Sequence, residues 1–176
     1  MTRPIRGRLP YSTLSIVAPQ TTVFIPANLW NGSDNAGAWI PKSLTEEITY
    51  LYYDQNLDVG SKVQLYVLWT TESSTTTDTV TFTGKYSPIT PEADAIPATS
   101  AFTALDTAFV ADTVVGSKYI HRTAAGVINA ASITDGDALA LSLSVSANSG
   151  LDVTAGTAAK SVKVLGVEIA YTLTNL

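Results

Sequence analysis

Two stretches in the last third of the chain alternate apolar and polar residues with a period of two. Period two is the spacing of a β-strand, whose side chains point alternately to its two faces. The stretch ALALSLSVSA (138–147) predicts outward-facing Ser142 and Ser144 and one inward-facing stripe: Leu139, Leu141, Leu143 and Val145.

The second stretch, VKVLGVEIAY (162–171), changes phase in the middle. Val164 continues one alternation and Val167 begins the opposite one, with Gly166 at the break. A one-residue slip of this kind is typical of a β-bulge, which turns the outward side of a strand inward. Because an apolar strand must be paired and covered, we expect it to lie inside a sheet beside strands from the first half of the chain.

Strand signals recur along the rest of the sequence. The clearest is at 61–71, where alternate residues from Val63 to Trp69 are apolar, and 44–54 is rich in tyrosine and β-branched residues. Residues 87–102 contain three prolines and predict a long loop or a connection between sheets, while 102–115 has room for a short helix at most. Eight or nine short strands with long connections predict an all-β fold, an antiparallel β-sandwich of jelly-roll type.

Composition restricts what such a fold does. The 176 residues are enough for one domain, and the absence of cysteine excludes thiol catalysis, cysteine-based zinc sites and disulfides. Only 14% of residues are charged, against about 25% in an average domain, so we expect much of the surface to contact other protein. A net charge of −5 disfavours nucleic acid as a partner, and no apolar run is long enough for a membrane helix.

The first eleven residues predict an extended N-terminal arm, separate from the sandwich at 12–176. The prolines fix the backbone and nothing alternates, so the segment is either a frayed terminus or an arm that docks on an acidic or polar neighbour. The residues expected to make that contact are Arg3, Pro4, Arg6, Arg8 and Pro10.

Few residues point to catalysis, and we expect no enzymatic activity, cofactor or metal. His121 is the only histidine, and a lone histidine on a strand is more often structural than catalytic. Asp135-Gly136-Asp137 fits a tight turn better than a calcium loop. Glu46 and Glu47 are adjacent, so on a strand they face opposite ways.

Three tryptophans raise the question of sugar binding, because flat aromatic rings stack on sugar faces. Trp69 is best explained as core. Trp30 and Trp39 flank the loop at 31–38, where they either stack on a ligand or cover the end of the sandwich.

Three stretches together resemble a known group. They are TVFIPANLW (22–30), ALDTAFVADTVV (104–115) and GDALALSLSVSANSGLDVTAGTAAKSVKVLGVEIAY (136–171). In this order they are similar to small jelly-roll structural proteins of tailed bacteriophages. The resemblance implies a non-enzymatic virion component, a trimeric decoration or cement protein on the head, although some relatives belong to tails or fibres.

These observations lead to one main hypothesis and one alternative. The main hypothesis is a capsid decoration (cement) protein on the outer capsid surface of the virion, which binds the major capsid protein as a homotrimer and uses the arm as its anchor. The alternative is a receptor- or carbohydrate-binding component of a phage tail or fibre, which would use Trp30, Trp39 and the loops at one end. A hydrolase has only His121 and scattered carboxylates in its favour.

Overall fold

The computed structural model describes residues 20–30, 38–54, 62–94, 102–117, 119–134, 136–153 and 160–172. The predicted arm at 1–11 lies outside the described residues. Within these residues two 3₁₀ turns occur, at Ala27–Leu29 and Ala130–Ser132, and all other regular structure there is β. The strands are β1 Gln20–Pro26, β2 Glu47–Tyr53, β3 Val63–Thr70, β4 Thr79–Ile89, β5 Thr103–Ala104, β6 Asp112–Thr113, β7 His121–Arg122, β8 Gly126–Ile128, β9 Ala138–Ser149 and β10 Lys163–Thr172.

The strands form two antiparallel sheets. One has the order β1-β10-β3-β7, with β8 also pairing with β3, and the other has the order β2-β9-β4-β5, with β6 also pairing with β4. The pairing is nested: the first strand pairs with the last, the second with the second last, and β3 and β4 with the short strands between them. No helix in the described part of the chain is long and apolar enough to cross a membrane.

One apolar core lies between the two sheets. Trp69 on β3 meets Phe82 on β4 edge to face, with ring centroids 6.3 Å apart, and Tyr52 on β2 meets Tyr171 on β10 at 6.0 Å. The alternate residues of β3 from Val63 to Trp69 are all buried, as their spacing predicts. The prediction of an all-β sandwich is therefore confirmed.

The closing strand β10 lies in the middle of its sheet, between β1 and β3, as predicted. Its register against β3 shifts between Val164 and Gly166, which confirms the bulge. Val164 and Val167 are both buried, so the bulge lets the strand fill the core on either side of the slip.

The stripe predicted on β9 is also confirmed, since Leu139, Leu141, Leu143 and Val145 are buried. Ser142 and Ser144 lie on the outer face as predicted, yet they are buried as well. The reason is an ion pair that joins the flanking strands β4 and β2 across the outer face of β9. Lys85 Nζ donates to Glu47 Oε1 at 2.6 Å, and the Ser142 hydroxyl donates to Glu47 Oε2 at 3.2 Å.

The segment 103–113 closes one edge of the sandwich and contains no helix. It pairs with β4 through β5 and β6, and Thr107 forms an isolated bridge with Val127 of β8. The Leu105 and Phe109 side chains pack against Gly84 on one sheet and Gly126 on the other; a Cβ at Gly84 would lie 2.7 Å from Leu105 and 2.9 Å from Phe109. Because neither glycine has a side chain, Leu105 and Phe109 have room to pack between the two sheets at this edge.

Candidate interaction surfaces

The outer face of the first sheet carries a row of side chains across three strands. Phe24, Glu168 and Tyr66 are register partners on β1, β10 and β3. Arg122 on β7 reaches over this row: its Nε is 2.6 Å from Glu168 Oε2, and its guanidinium carbon lies 3.4 Å from the centre of the Tyr66 ring. Because the cation is held by both a carboxylate and an aromatic face, the charges in this row neutralise each other.

The outer face of the second sheet is similar in character. Its charged pair, Lys85 and Glu47, is the bridge over β9 described above. On the edge strand β2, Leu51 is 47% exposed and Tyr53 is 56% exposed. This face therefore presents apolar side chains next to a carboxylate that is already paired.

The stretch that begins just before β6 and ends just before β7 is the most exposed apolar part of the described chain. Val110, Val115, Tyr119 and Ile120 are each between 60% and 69% exposed. We call residues 110–120 the crossing segment. The Tyr119 ring lies over Gly116, where an added Cβ would meet it at 2.5 Å, so the lack of a side chain at Gly116 makes room for the ring. Exposed apolar patches are typical of surfaces that bind protein.

Trp30 and Trp39 are both buried, at 4% and 0% exposure. Trp39 Nε1 donates to Glu46 Oε1 at 3.2 Å, and the Trp30 ring packs against Tyr50 at 5.6 Å. The burial supports the core role for both residues. Neither ring offers a free face on which a sugar would stack.

His121 is buried in a structural setting. Its ring stacks on Trp69, with centroids 4.4 Å apart and 22° between the planes. Its Nε2 is buried without a hydrogen-bond partner in the described part of the chain. The nearby carboxylate of Asp112 is hydrogen-bonded to the indole of Trp69, whose Nε1 donates to Asp112 Oδ2 at 2.7 Å.

The predicted turn carboxylate has a structural role too. Asp137 accepts hydrogen bonds from Thr134 N at 2.8 Å and from the Thr90 hydroxyl at 2.9 Å, while Asp135 lies outside the described residues. Glu46 accepts from the Lys42 backbone N–H as well as from Trp39, and Glu47 binds Lys85, so the two adjacent carboxylates act separately. No group of three or more metal-ligating side chains occurs within the described ranges.

A buried polar cluster joins the two sheets at one end and was not predicted. The Tyr52 hydroxyl donates to the Tyr171 hydroxyl at 2.6 Å, and Tyr171 donates to Asp54. Burial and these hydrogen bonds raise the pKa of Tyr171 above its ordinary value, and burial also raises the pKa of Tyr52. The two tyrosines are 119 residues apart in the sequence, and no local pattern links them.

A scan against protein-family models finds no match for this chain, and a search of curated proteins finds none either.

Proposed function

We propose that this chain is a virion structural protein, a capsid decoration (cement) protein that binds the major capsid protein on the outer surface of a phage head. The observation that carries the proposal is the surface of the sandwich. Its two outer faces hold their ion pairs internally, and large apolar side chains stand exposed around its edges. When such a surface packs against protein, few unpaired charges are removed from water, so the free-energy cost of desolvation is small.

Two further observations support the proposal. The nested pairing of first with last and second with second last is the pairing that a jelly roll requires, which agrees with the proposed jelly-roll type. The ALDTAF stretch, part of the resemblance to phage structural proteins, supplies Leu105 and Phe109, which plug one edge of the sandwich. In this proposal the protein acts as a homotrimer and has no catalytic activity.

The proposed anchor is the N-terminal arm, with Arg3, Arg6 and Arg8 as its charged contacts. Eleven residues reach about 35 Å when fully extended, enough to cross onto an adjacent subunit. Guanidinium groups bind carboxylates in two-point contacts, so the arm suits an acidic capsid surface.

The test is co-sedimentation of the protein with capsids that lack it. Full-length protein is expected to saturate the capsid surface. A truncation without residues 1–11 is expected to keep the circular dichroism spectrum of a β-sandwich and to lose at least tenfold in capsid affinity. A matched variant with all three arginines replaced by lysine separates the positive charge from two-point contacts. Undiminished binding by the truncation would contradict the anchor role, whereas failure of the full-length protein to bind would contradict the decoration function itself.

The tail or fibre alternative would use Trp30, Trp39 and the loops at one end, and both tryptophan rings are buried. No observation favours it over the capsid proposal.

A further inference from the structure

We propose that residues 12–16 of this chain form an additional strand beside β2 and close the side of the sandwich that β1 and β2 border. We call this side the open side, and residues 12–19 the N-terminal segment. The inference goes beyond the proposed function, because it concerns how the free chain covers its own core. Its failure is therefore separable from a failure of capsid binding.

The core is incompletely covered on the open side. β1 and β2 are end strands of their sheets, and the Trp30 ring that follows β1 packs against Tyr50 of β2, so both strands border the same side. Val23 on β1 and Tyr50 pack against the main core but are only partly buried. Their register partners on the central strands, Ile169 and Leu141, are buried, so both side chains face inward. The opposite edge is closed by β5, β6 and the residues between them.

The open side also carries much of the exposed apolar surface. Of the nine large apolar side chains exposed in the described chain, four lie in the crossing segment. The other five lie on β1, on β2 or close to them: Phe24, Leu29, Leu44, Leu51 and Tyr53. An apolar segment that packs on this side therefore removes apolar area from water, which is the main favourable term in folding.

The free edge of β2 favours a strand as the cover. β2 is seven residues long, contains no proline or lysine, and pairs only with β9 among the described strands. Lysine, proline and short length are the usual means by which an edge strand avoids pairing, and β2 has none of them. In an antiparallel pair, alternate residues point their N–H and C=O groups away from the partner, so β2 presents a row of backbone groups to a new strand.

The N-terminal segment ends at the right place for this contact. Gln20, the first residue of β1, pairs with Thr172 at the end of β10. The neighbouring Tyr171 accepts a hydrogen bond from the Tyr52 hydroxyl of β2 at 2.6 Å. Gln20 therefore lies near the last residues of β2, in the facing sheet. Packed sheets are about 10 Å apart, a distance that three extended residues span, so residues 17–19 are enough to reach β2.

The sequence of the N-terminal segment, STLSIVAP, suits this position. Leu14 and Ile16 are two residues apart, so in a strand they share one face, and Ser15 lies on the other. The apolar face covers the inward-facing side chains of the two edge strands. Pro19 has no N–H donor and restricts the preceding residue to extended backbone, which suits a short crossing between sheets.

The other segments outside the described ranges that adjoin the open side fit it less well. Residues 31–37 contain no large apolar residue. Residues 55–61 have to connect β2 with β3, the third strand of the other sheet. Residues 173–176 follow β10, whose two neighbours are β1 and β3.

The connectivity fixes the direction of the added strand. Because the N-terminal segment ends beside the last residues of β2, the strand runs parallel to β2, from the Glu47 end to the Tyr53 end. Residues 17–46 join the two strands, which is more than the dozen or so residues that a parallel pair requires. The arm at 1–11 then leaves the sandwich beside Glu47.

The chain has no cysteine, so an engineered pair reports this contact without background. Thr13→Cys and Ser15→Cys, which lie on the outward side of the added strand, are each combined with Leu51→Cys on β2. The matched control is Ser15→Cys with Thr22→Cys, an exposed position on β1 only two residues from Gln20. A segment that docks nowhere would reach Thr22 at least as readily as Leu51.

The disulfides formed under mild oxidation are identified by mass spectrometry of the full-length protein. At least one of the two Leu51 pairs is expected to form an intrachain disulfide, at a yield at least about tenfold above the control pair. Yields no higher than the control for both pairs would overturn the proposal. A disulfide found only between chains would overturn it as well, because the added strand would then belong to another copy.

Amide hydrogen exchange gives an independent measurement. Leu14→Asp places a charge on the covered face, and Ser15→Asp places the same charge on the solvent face. Leu14→Asp is expected to raise exchange at the β2 amides that point away from β9 by at least roughly tenfold, and Ser15→Asp by less than about threefold. Equal effects of the two substitutions would contradict the added strand. Circular dichroism shows whether each variant folds, and Leu14→Ser replaces Leu14→Asp if the charge unfolds the chain.

Discussion

Replacement of Gly166 by alanine should destabilise the protein by about 1–3 kcal/mol, the usual effect of forcing an extra carbon into a packed site. The new methyl group would lie 2.6 and 2.7 Å from two carbons of the Phe24 ring and closer still to the Ile25 carbonyl oxygen. Ordinary contact needs about 3.4 Å or more, so β1 and β10 would have to separate by nearly 1 Å at the bulge. Gly166 does not have a positive φ, so the effect is steric and not a matter of backbone conformation.

The cause of this loss can be located with Phe24, whose ring is half-exposed and free to move aside. If the ring were the obstacle, the Gly166→Ala change would become harmless in a Phe24→Ala background. We expect the loss to persist there, because the Ile25 carbonyl belongs to the β1–β10 ladder and cannot move independently. The loss of stability is measured by urea unfolding followed by circular dichroism. In a thermal scan of the same variant, the unfolding midpoint is expected to fall by roughly 2–12 °C. A change below about 0.5 kcal/mol for the single variant would refute the close packing of β1 on β10.

Other predictions concern the buried polar groups. Tyr171→Phe should reduce the free energy of unfolding by about 1–3 kcal/mol at pH 7, because the buried Tyr52 hydroxyl loses its acceptor. Because the pKa of Tyr171 is raised in the fold above its ordinary 10.0, the neutral form stabilises the native state, and this stability should be lost as the pH rises above 10. Urea unfolding between pH 7 and 11 tests both points, and an identical pH dependence in the wild type and Tyr171→Phe would contradict the second. Asp112→Ala should destabilise by about 1–3 kcal/mol by leaving Trp69 Nε1 without an acceptor, while Asp112→Asn, which keeps one, should have a smaller effect; equal losses in urea unfolding would contradict this.

The sequence was sufficient for the parts of the fold that depend on local alternation. The stripes on β3 and β9 follow directly from period two, and the phase change at Gly166 identified the bulge because one inserted residue reverses every later side chain. The central place of β10 followed from its apolar character. These features depend on neighbouring residues, which a sequence displays.

Features that depend on distant residues could not be predicted. Nothing near Gly84 or Gly126 indicates that both make room for Leu105 and Phe109, since the four residues belong to three separate stretches. Ser142 alternates as a solvent-facing residue should, and its burial results from a bridge between two other strands.

The candidate surfaces were predicted only in outline. The low content of charge predicts that other protein covers much of the surface, which stays a prediction, and it does not indicate which residues would be covered. Val115 and Ile120 are apolar residues in a segment without clear periodicity, so the sequence could not distinguish exposed from buried positions there. Trp30 and Trp39 were open to either role, and their burial depends on the packing of the sheets.

The most direct test of the proposed function is imaging of phage particles assembled with and without this chain, by electron cryomicroscopy. We predict difference density on the outer surface of the head, in clusters whose copies fit the two-sheet sandwich. Difference density on the tail, or none anywhere on the particle, would contradict it.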